Sequence, residues 1–245
     1  MKDQVVIVTG GAAGIGRAIT AQLVQGGACV VAVDLDQAAG DDIAAAHPDR
    51  VAFLKGDVSD PQVARDAVGL AVSQFGKLTG LVNNAHASRQ KPLLDHTAED
   101  WALSFDTGFR GTLNFMKAAH PELVKTRGAI VNFGSGAALN GQANQASYAA
   151  AKEAIRGLSR VAANEWAKDG IRINIVCPLA LTEGVETWKK AHPEQYDEVA
   201  AKVPLGRFGD PHQDIAPVVA FLLSDASQYM TGQTLMADGG GTMLR

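Results

Sequence analysis

Cysteine is scarce in this chain. Cys29 and Cys177 are the only two in 245 residues, and both sit in apolar runs. That excludes a disulfide framework and a cysteine metal site, and the expectation is two buried thiols in a reducing compartment. Basic charge is not in excess either: the formal net charge is −4. Nothing in it points to nucleic acid or to an anionic membrane. No apolar stretch approaches a membrane span. The opening MKDQVVIVTGG lacks the length and cleavage pattern of a signal peptide, so a cytoplasmic protein is expected. There is no internal repeat, low-complexity segment, metal-ligand cluster or second domain. What remains is ordinary globular composition, 47% apolar and 20% charged, in a length that suits one large α/β domain.

The first strongly patterned stretch is N-terminal. Val5 to Val8 is a short β-branched run that reads as a buried strand. Thr9-Gly10-Gly11-Ala12-Ala13-Gly14-Ile15-Gly16 follows and opens into the helical pattern of Arg17 to Gln25. Strand, glycine-rich turn and helix together bring backbone N–H groups and a helix N-terminus against a pyrophosphate. The spacing is Gly10-x3-Gly14-x-Gly16, and the plainer alternative is a tight structural turn. A second strand, Ala28 to Val33, ends at Asp34, which lies 18 residues after Gly16. An acid there accepts hydrogen bonds from ribose hydroxyls and repels a 2′-phosphate. Asp36 adds a second negative charge, and no Arg or Lys follows the strand closely, so NAD is favoured over NADP. An acid capping the next helix is the alternative, and it fits Asp36 better than Asp34.

Strand and helix then alternate through helix Gln37 to His47, strand Val51 to Leu54, Asp57-Val58, a helix from Asp60-Pro61 to Gly76, and strand Leu78 to Val82 with Asn83-Asn84-Ala85-His86 behind it. This is the pattern of a parallel, doubly wound sheet, whose ligands bind at the carboxyl ends of the strands. Gly10, Asp34, Asp57 and Asn84 all follow strands, so they are expected to converge on one edge. After a loop from Ala87 to His96, Thr97-x-x-Asp100 resembles a capping box, and its helix is expected to reach about Ala119. Strand Ala129 to Phe133 brings in Ser135. A helix then carries Tyr148 and Lys152 and stops at Gly170. Ile171 to Val176 is a sixth strand, Asp210-Pro211 starts the last helix, and Gln233 to Met236 is a seventh strand. Between the sixth strand and the last helix, 179–203 has the weakest pattern, and its place at the ligand edge makes it a candidate substrate lid.

Tyr148 and Lys152 are four apart, and if Ser147 caps their helix they share a face of its first turns. A free phenol has a pKa near ~10 and is a poor acid or base at neutral pH. A nearby ammonium favours the phenolate and lowers that pKa. Such a pair is suited to exchange a proton with an alcohol oxygen, and Ser135 is placed to donate a hydrogen bond to the same oxygen. Solvated helix surface is the alternative for the pair taken alone.

Thr9-x3-Gly14-Ile15-Gly16, Asp57-Val58, Asn83-Asn84-Ala85, Ser135, Tyr148-x3-Lys152, Asn174-x2-Cys177-Pro178 and Asp238-Gly239-Gly240 together resemble the short-chain dehydrogenase/reductase family over essentially the whole chain. The resemblance implies a single Rossmann-like α/β domain over 1–245 with a seven-stranded parallel sheet, NAD(P) binding and a homotetramer. It implies that Gly10, Ala13, Gly14, Ile15 and Gly16 line the pyrophosphate and that Asp34 holds the ribose. Asp57 and Val58 would flank the adenine, and Asn84 and Ala85 would back the cofactor. Tyr148 would be the acid/base. Lys152 would hold the nicotinamide ribose and lower the Tyr148 pKa, Ser135 would orient the substrate oxygen, and Pro178 and Thr182 would complete the cofactor loop.

Three departures from the family pattern stand out, the third covering two neighbouring positions. His86 stands where the family has glycine, so it is a candidate substrate contact along with Ser135, Tyr148 and Trp188. A packed, hydrogen-bonded histidine is the alternative. Gly108 stands where the family has an asparagine that helps hold a water relaying protons to the lysine. Leu179 replaces a glycine after Pro178, and Thr182 sits one residue early. The expected function is an NAD-dependent oxidoreductase that interconverts a small-molecule secondary alcohol and a ketone. Two alternatives stand beside it: an NADPH-dependent 3-oxoacyl-thioester reductase, and an NAD-binding sensor or scaffold with impaired turnover.

Overall fold

A computed structural model describes residues 1–244. Its centre is a seven-stranded sheet in the order β3-β2-β1-β4-β5-β6-β7. The strands are β1 Val5–Thr9, β2 Cys29–Asp34, β3 Val51–Lys55, β4 Gly80–Asn83, β5 Ala129–Phe133, β6 Arg172–Pro178 and β7 Thr234–Ala237. Every neighbouring pair runs parallel. The α/β doubly wound architecture read from the alternation is therefore the observed one.

Both faces of this sheet are covered, which is why β1 is a continuous apolar run and not an alternating one. Val6 and Val8 point to a layer with Ala18, Ile19 and Leu23 of α1 (Gly14–Gln25), Ile43 of α2 (Gln37–Ala46), and Val219 and Leu222 of α10 (Ala216–Leu223). Val5 and Ile7 point the other way. They meet Ala64, Ala67 and Ala71 of α3 (Pro61–Phe75), Phe115 and Ala119 of α5 (Gly111–Thr126), and Ala162 and Ala163 of α7 (Ala146–Trp166). Asp60 caps α3 by accepting from the Gln62 N–H, with Pro61 in the first turn and Gly76 in the left-handed region at its end.

Several elements differ from the sequence expectation. The helix expected from Thr97 to about Ala119 is continuous and runs on to Thr126, but its winding changes in three contiguous segments. A capping box of Thr97 and Asp100 starts α4 (Ala98–Ser104), a wide turn of π type spans Phe105–Arg110, and α5 runs through Pro121 to Thr126. Ser147 is not a cap: α7 starts one residue earlier, behind Gln145, and the Ser147 hydroxyl is buried without a partner. A one-turn helix, α6 (Gly136–Leu139), precedes it, with Ser135 as its cap. The 179–203 stretch forms α8 (Glu183–Ala191) and α9 (Pro193–Ala200). Cys177 is buried but Cys29 only partly so. Among the described residues, no helix is long and apolar enough to cross a membrane.

Candidate active site

The strand order reverses at β1, which lies between β2 and β4, and this switch point opens a crevice at the carboxyl edge. The glycine turn fills its mouth. Gly10 and Gly14 have φ of +63° and +50°, a conformation that side chains rarely adopt. A Cβ on Gly16 would stand 1.9 Å from the Gly10 carbonyl oxygen, so the third glycine is what lets α1 pack on the turn. A Cβ on Gly14 would meet nothing within 4 Å, so its outer side faces open space. No side chain caps α1 at Ala13, and its first turn holds no acid. Its N-terminal N–H groups and positive dipole end suit a phosphate. The residues present therefore fit a dinucleotide pyrophosphate.

The turn is tied to its surroundings by polar contacts. The Gly10 N–H donates to the Val33 carbonyl at 2.7 Å, and Ala12 donates to the Asp34 carboxylate at 3.1 Å. The Asn84 amide donates to the carbonyls of Thr9 and Gly10 at 3.0 and 3.3 Å. The Thr9 hydroxyl accepts from the N–H groups of Asn84 and Ala85 at 3.0 and 3.1 Å. Asn84 thus spends its amide on the turn, and Thr9 is a residue whose part in the site the sequence reading overlooked. A hydroxyl at the end of an otherwise apolar strand was the available signal. Asp36 caps α2, as its spacing suggested, while Asp34 keeps its place at the strand end. Lys55 lies in register with Asp34 on β3, a basic neighbour that the sequence reading did not place there. Arg17, beside the turn, is paired with Asp42. Asp57 accepts from the Ser59 N–H in the turn after β3, and Val58 is buried against Gly111.

Across the crevice lie Ser135, Tyr148 and Lys152. Ser135 is buried at the end of β5, and its hydroxyl accepts from the Ala138 N–H at 3.3 Å. Lys152 is buried, and its ammonium donates to the Phe133 carbonyl at 3.0 Å and sits 5.7 Å from the centre of the Tyr148 ring. Tyr148 and Lys152 are neighbours, as their four-residue spacing implied, and the Ser135 hydroxyl reaches the Tyr148 phenol. Their electrostatics differ from the expectation. Burial pushes the Tyr148 phenol up, the Ser135 hydroxyl works against that, and Cys177 adds to it. The lowering expected from Lys152 is not found: desolvation disfavours the phenolate and sets the direction. Burial also brings the Lys152 ammonium down to about 8. The nearby Cys177 thiol is pushed up to about 11, chiefly by burial, and stays neutral at pH 7.

Beneath α7 runs a buried polar chain that sequence reasoning also missed: Asn83 donates to Asn132 at 2.8 Å, and Asn132 donates to Ser159 at 2.8 Å. Its signal was an asparagine interrupting each of two apolar strands. The loop after β4 is strapped down as well. The fully covered Asp100 carboxylate accepts from Lys91 at 2.7 Å and Arg89 at 3.1 Å, and the Lys91 N–H donates to the Asn144 carbonyl just before α7. His86, in this loop, stacks on the Tyr148 ring at 5.0 Å between centroids and 18° between planes.

The lid candidate leaves and returns at one point. The Gly209 N–H donates to the Leu179 carbonyl at 2.9 Å, and Leu181 donates to the Gly209 carbonyl at 2.8 Å. Tyr196, Ala200, Val203 and Phe208 form a small core of their own there. Trp188 packs edge-on against Tyr196 at 6.1 Å, so it belongs to that core and not to the Tyr148 cluster. The Thr182 hydroxyl caps α8, accepting from Val185 at 3.4 Å. Pro178 ends β6 beside Ala237 of β7.

A family model described as Enoyl-(Acyl carrier protein) reductase matches residues 10–242. The chain belongs to the short-chain dehydrogenase/reductase family. It is 46% identical over 185 residues to a 12alpha-hydroxysteroid dehydrogenase of a Clostridium species, covering 75% of this chain and 71% of that one. It is 39% identical over 256 residues to 2-(S)-hydroxypropyl-CoM dehydrogenase 3 of Xanthobacter autotrophicus, covering 100% and 98% of the two chains. The crystal structure of a short-chain dehydrogenase/reductase, glucose/ribitol dehydrogenase, from Brucella melitensis superposes with a TM-score of 0.92 at 34% identity, covering 100% of this chain and 98% of that one. The chain is thus an oxidoreductase of a family that acts on CH–OH groups with a nicotinamide cofactor.

Proposed function

We propose that this oxidoreductase uses NAD to interconvert a small-molecule secondary alcohol and a ketone, with Tyr148 as the acid/base. The observation that carries the reading is the meeting of Ser135, Tyr148 and Lys152 in a buried cluster on the same sheet edge as the glycine turn. Gly10, Ala13, Gly14, Ile15 and Gly16 would hold the pyrophosphate, Asp34 the adenosine ribose, and Asp57 and Val58 the adenine side. The nicotinamide, when bound, supplies or accepts the hydride. The chain handles the proton. In reduction the Tyr148 O–H gives its proton to the forming alkoxide oxygen while Ser135 donates a hydrogen bond to it. In oxidation the Tyr148 phenolate takes the alcohol proton. Lys152, fixed on the Phe133 carbonyl, keeps positive charge beside the phenol. Because burial favours the neutral phenol, Tyr148 stands ready as an acid at neutral pH, and alcohol oxidation is expected to quicken as pH rises.

The test is NADH formation at 340 nm across secondary alcohols, polyols, hydroxysteroids and 3-hydroxyacyl thioesters, with Tyr148→Phe as the control. Loss of the acid/base is expected to slow turnover on the order of 10²–10⁴-fold. Equal rates in the two proteins would remove Tyr148 from the mechanism. Cofactor binding without turnover of any member would favour a binding protein.

A second reading rests on Lys55. Its place in register with Asp34 offers one cation to a 2′-phosphate, as a 3-oxoacyl-thioester reductase using NADPH would need. The carboxylates of Asp34 and Asp36 oppose it. Asp34→Ala is expected to weaken NAD more than NADP, and equal losses would remove the reason for preferring NAD. A homotetramer in the cytoplasm completes the proposal, and sedimentation of the purified chain tests the assembly.

A further inference from the structure

His86 and Gly108 are two departures from the family pattern, 22 residues apart in the chain. In space they touch. A Cβ on Gly108 would stand 3.0, 3.1 and 3.2 Å from Nε2, Cε1 and Cδ2 of His86. Gly108 lies inside the wide turn between α4 and α5 and has no positive φ, so its backbone does not call for glycine. A glycine inside a helical segment costs roughly 0.5–1 kcal/mol against alanine. What glycine provides at 108 is room for the imidazole.

The imidazole is held on its other sides too. Its flat face lies against the Tyr148 ring, at 5.0 Å and 18°. Its Nε2 is 2.9 Å from the hydroxyl of Ser104, which is itself fully buried on α4. His86 is therefore a plate between the helix that carries Gly108 and the helix that carries Tyr148. Burial and the Lys152 ammonium both hold His86 far below the usual histidine range, so the plate is a neutral ring at pH 7 and does not repel Lys152. Its Nδ1 is buried with no partner, a cost that a purely structural filler such as phenylalanine would avoid.

We propose that His86 and Gly108 form one coupled unit in which the imidazole, accommodated only because residue 108 has no side chain, positions the ring of Tyr148. This rests on the proposed role of Tyr148 as acid/base. His86 is a positioning residue: it acts through Tyr148 by shielding one part of its ring and limiting its movement. Ser104 is the anchor that fixes the plate.

The test is a cycle of four proteins: wild type, His86→Gly, Gly108→Ala and the double variant. In the wild-type background, Gly108→Ala pushes the plate toward Tyr148 by a few tenths of an ångström. Displacement of a catalytic group by about 1 Å can cost on the order of 10²-fold, so a loss of roughly tenfold in kcat is expected, with little change in KM for the cofactor. In the His86→Gly background the same substitution meets no ring, and the expected further loss is less than about twofold. Additive losses, or a Gly108→Ala protein as active as wild type, would overturn the coupling.

Two readouts need no substrate. Melting temperatures of the four proteins should show the same non-additivity. The phenol of Tyr148, followed at 295 nm as the difference from Tyr148→Phe, should titrate at lower pH in His86→Gly, because removing the plate lets water reach the ring. The charged and titratable neighbours that share this titration are Lys152 on α7 and Cys177 on β6, with the Ser135 hydroxyl, and all are retained in every variant. An unmoved phenol titration would show that His86 is only a filler. If no alcohol or ketone is turned over by wild type, the proposed function fails while these two measurements still decide the coupling.

Discussion

The glycine turn and the 179–209 excursion sit at the same edge of the sheet, and they are held by different forces. The turn is fixed from within a few residues and from the strands beside it. Backbone bonds to Val33, the Asn84 amide and the Thr9 hydroxyl all close on it, and its glycines leave no room for a Cβ at 16. The excursion has its own small apolar core, is closed at its base by the Leu179–Gly209 pairing, and meets the sheet through the Leu179 N–H on the Ala237 carbonyl, the Leu205 N–H on the Gly239 carbonyl, and Val203 and Pro204 beside Gly239 and Gly240. A region locked by short polar contacts opens only with the whole fold. One held by a satellite cluster can open alone. That division suits the proposed roles, a floor for the cofactor and a lid for the substrate.

The largest expected effect attacks the floor. Gly16→Val places a branched side chain where even a Cβ would be 1.9 Å from the Gly10 carbonyl, and cofactor binding should be lost outright with a lower melting temperature. Isothermal titration with NAD checks it. A Gly16→Val protein that binds normally would show the floor to be as yielding as the lid.

Next is Lys152, which anchors the far wall. Its pKa falls from 10.5 to about 8 on folding, so between those values the unfolded chain binds more protons than the folded one. Stability contributed at this site therefore rises with pH across that window, on the order of 3 kcal/mol in all. Cys177, pushed from 9.0 to about 11, works in the opposite sense above pH 9, so pH 8 to 9 is the cleanest interval. Wild type should gain stability against Lys152→Met there, followed by urea unfolding. A constant gap would mean that the Phe133 carbonyl fully compensates the buried ammonium.

A smaller global effect is expected from the lid. Phe208→Ala removes a wall of the Tyr196 cluster, where ring centroids are 5.0 Å apart. Truncating a buried Phe costs roughly 3–5 kcal/mol when the whole fold feels it. Here the loss should be local. Limited proteolysis within 183–200 should speed up by about tenfold, roughly 1.4 kcal/mol of local opening, while the melting temperature and NAD affinity hardly move. A matching fall in melting temperature would join lid and floor into one cooperative unit. The smallest effect belongs to Thr182→Ala, which removes the long 3.4 Å cap of α8 and should cost about 0.5 kcal/mol, again read in lid proteolysis.

Legibility followed the same division. The turn, Asp34, the Tyr148–Lys152 spacing and the seven strands could be read because each depends on neighbours close in the chain: a β-branched run, a glycine with positive φ, side chains one helical turn apart. The lid helices were less legible. Their apolar residues face a cluster completed by Phe208, beyond the stretch itself. Ser147 looked like a cap, but the helix began one residue earlier. Trp188 is half-buried against Tyr196, a contact that its place in the sequence does not show. The sign of the Tyr148 shift also went the other way, because spacing shows that an ammonium is near but not how deeply a phenol is buried.

By itself, then, the order of residues determined a parallel doubly wound sheet, a phosphate-ready turn after its first strand, and a tyrosine and lysine on one helix face. These follow from chain stereochemistry and short-range periodicity. Only the tertiary structure decided that Asn84 and Thr9 lock that turn, that Asp100 straps the loop carrying His86, and that His86 fills the room above Gly108 against Tyr148. Those pairings join residues distant in sequence, and a volume left by one side chain has meaning only when the packed fold brings another to fill it.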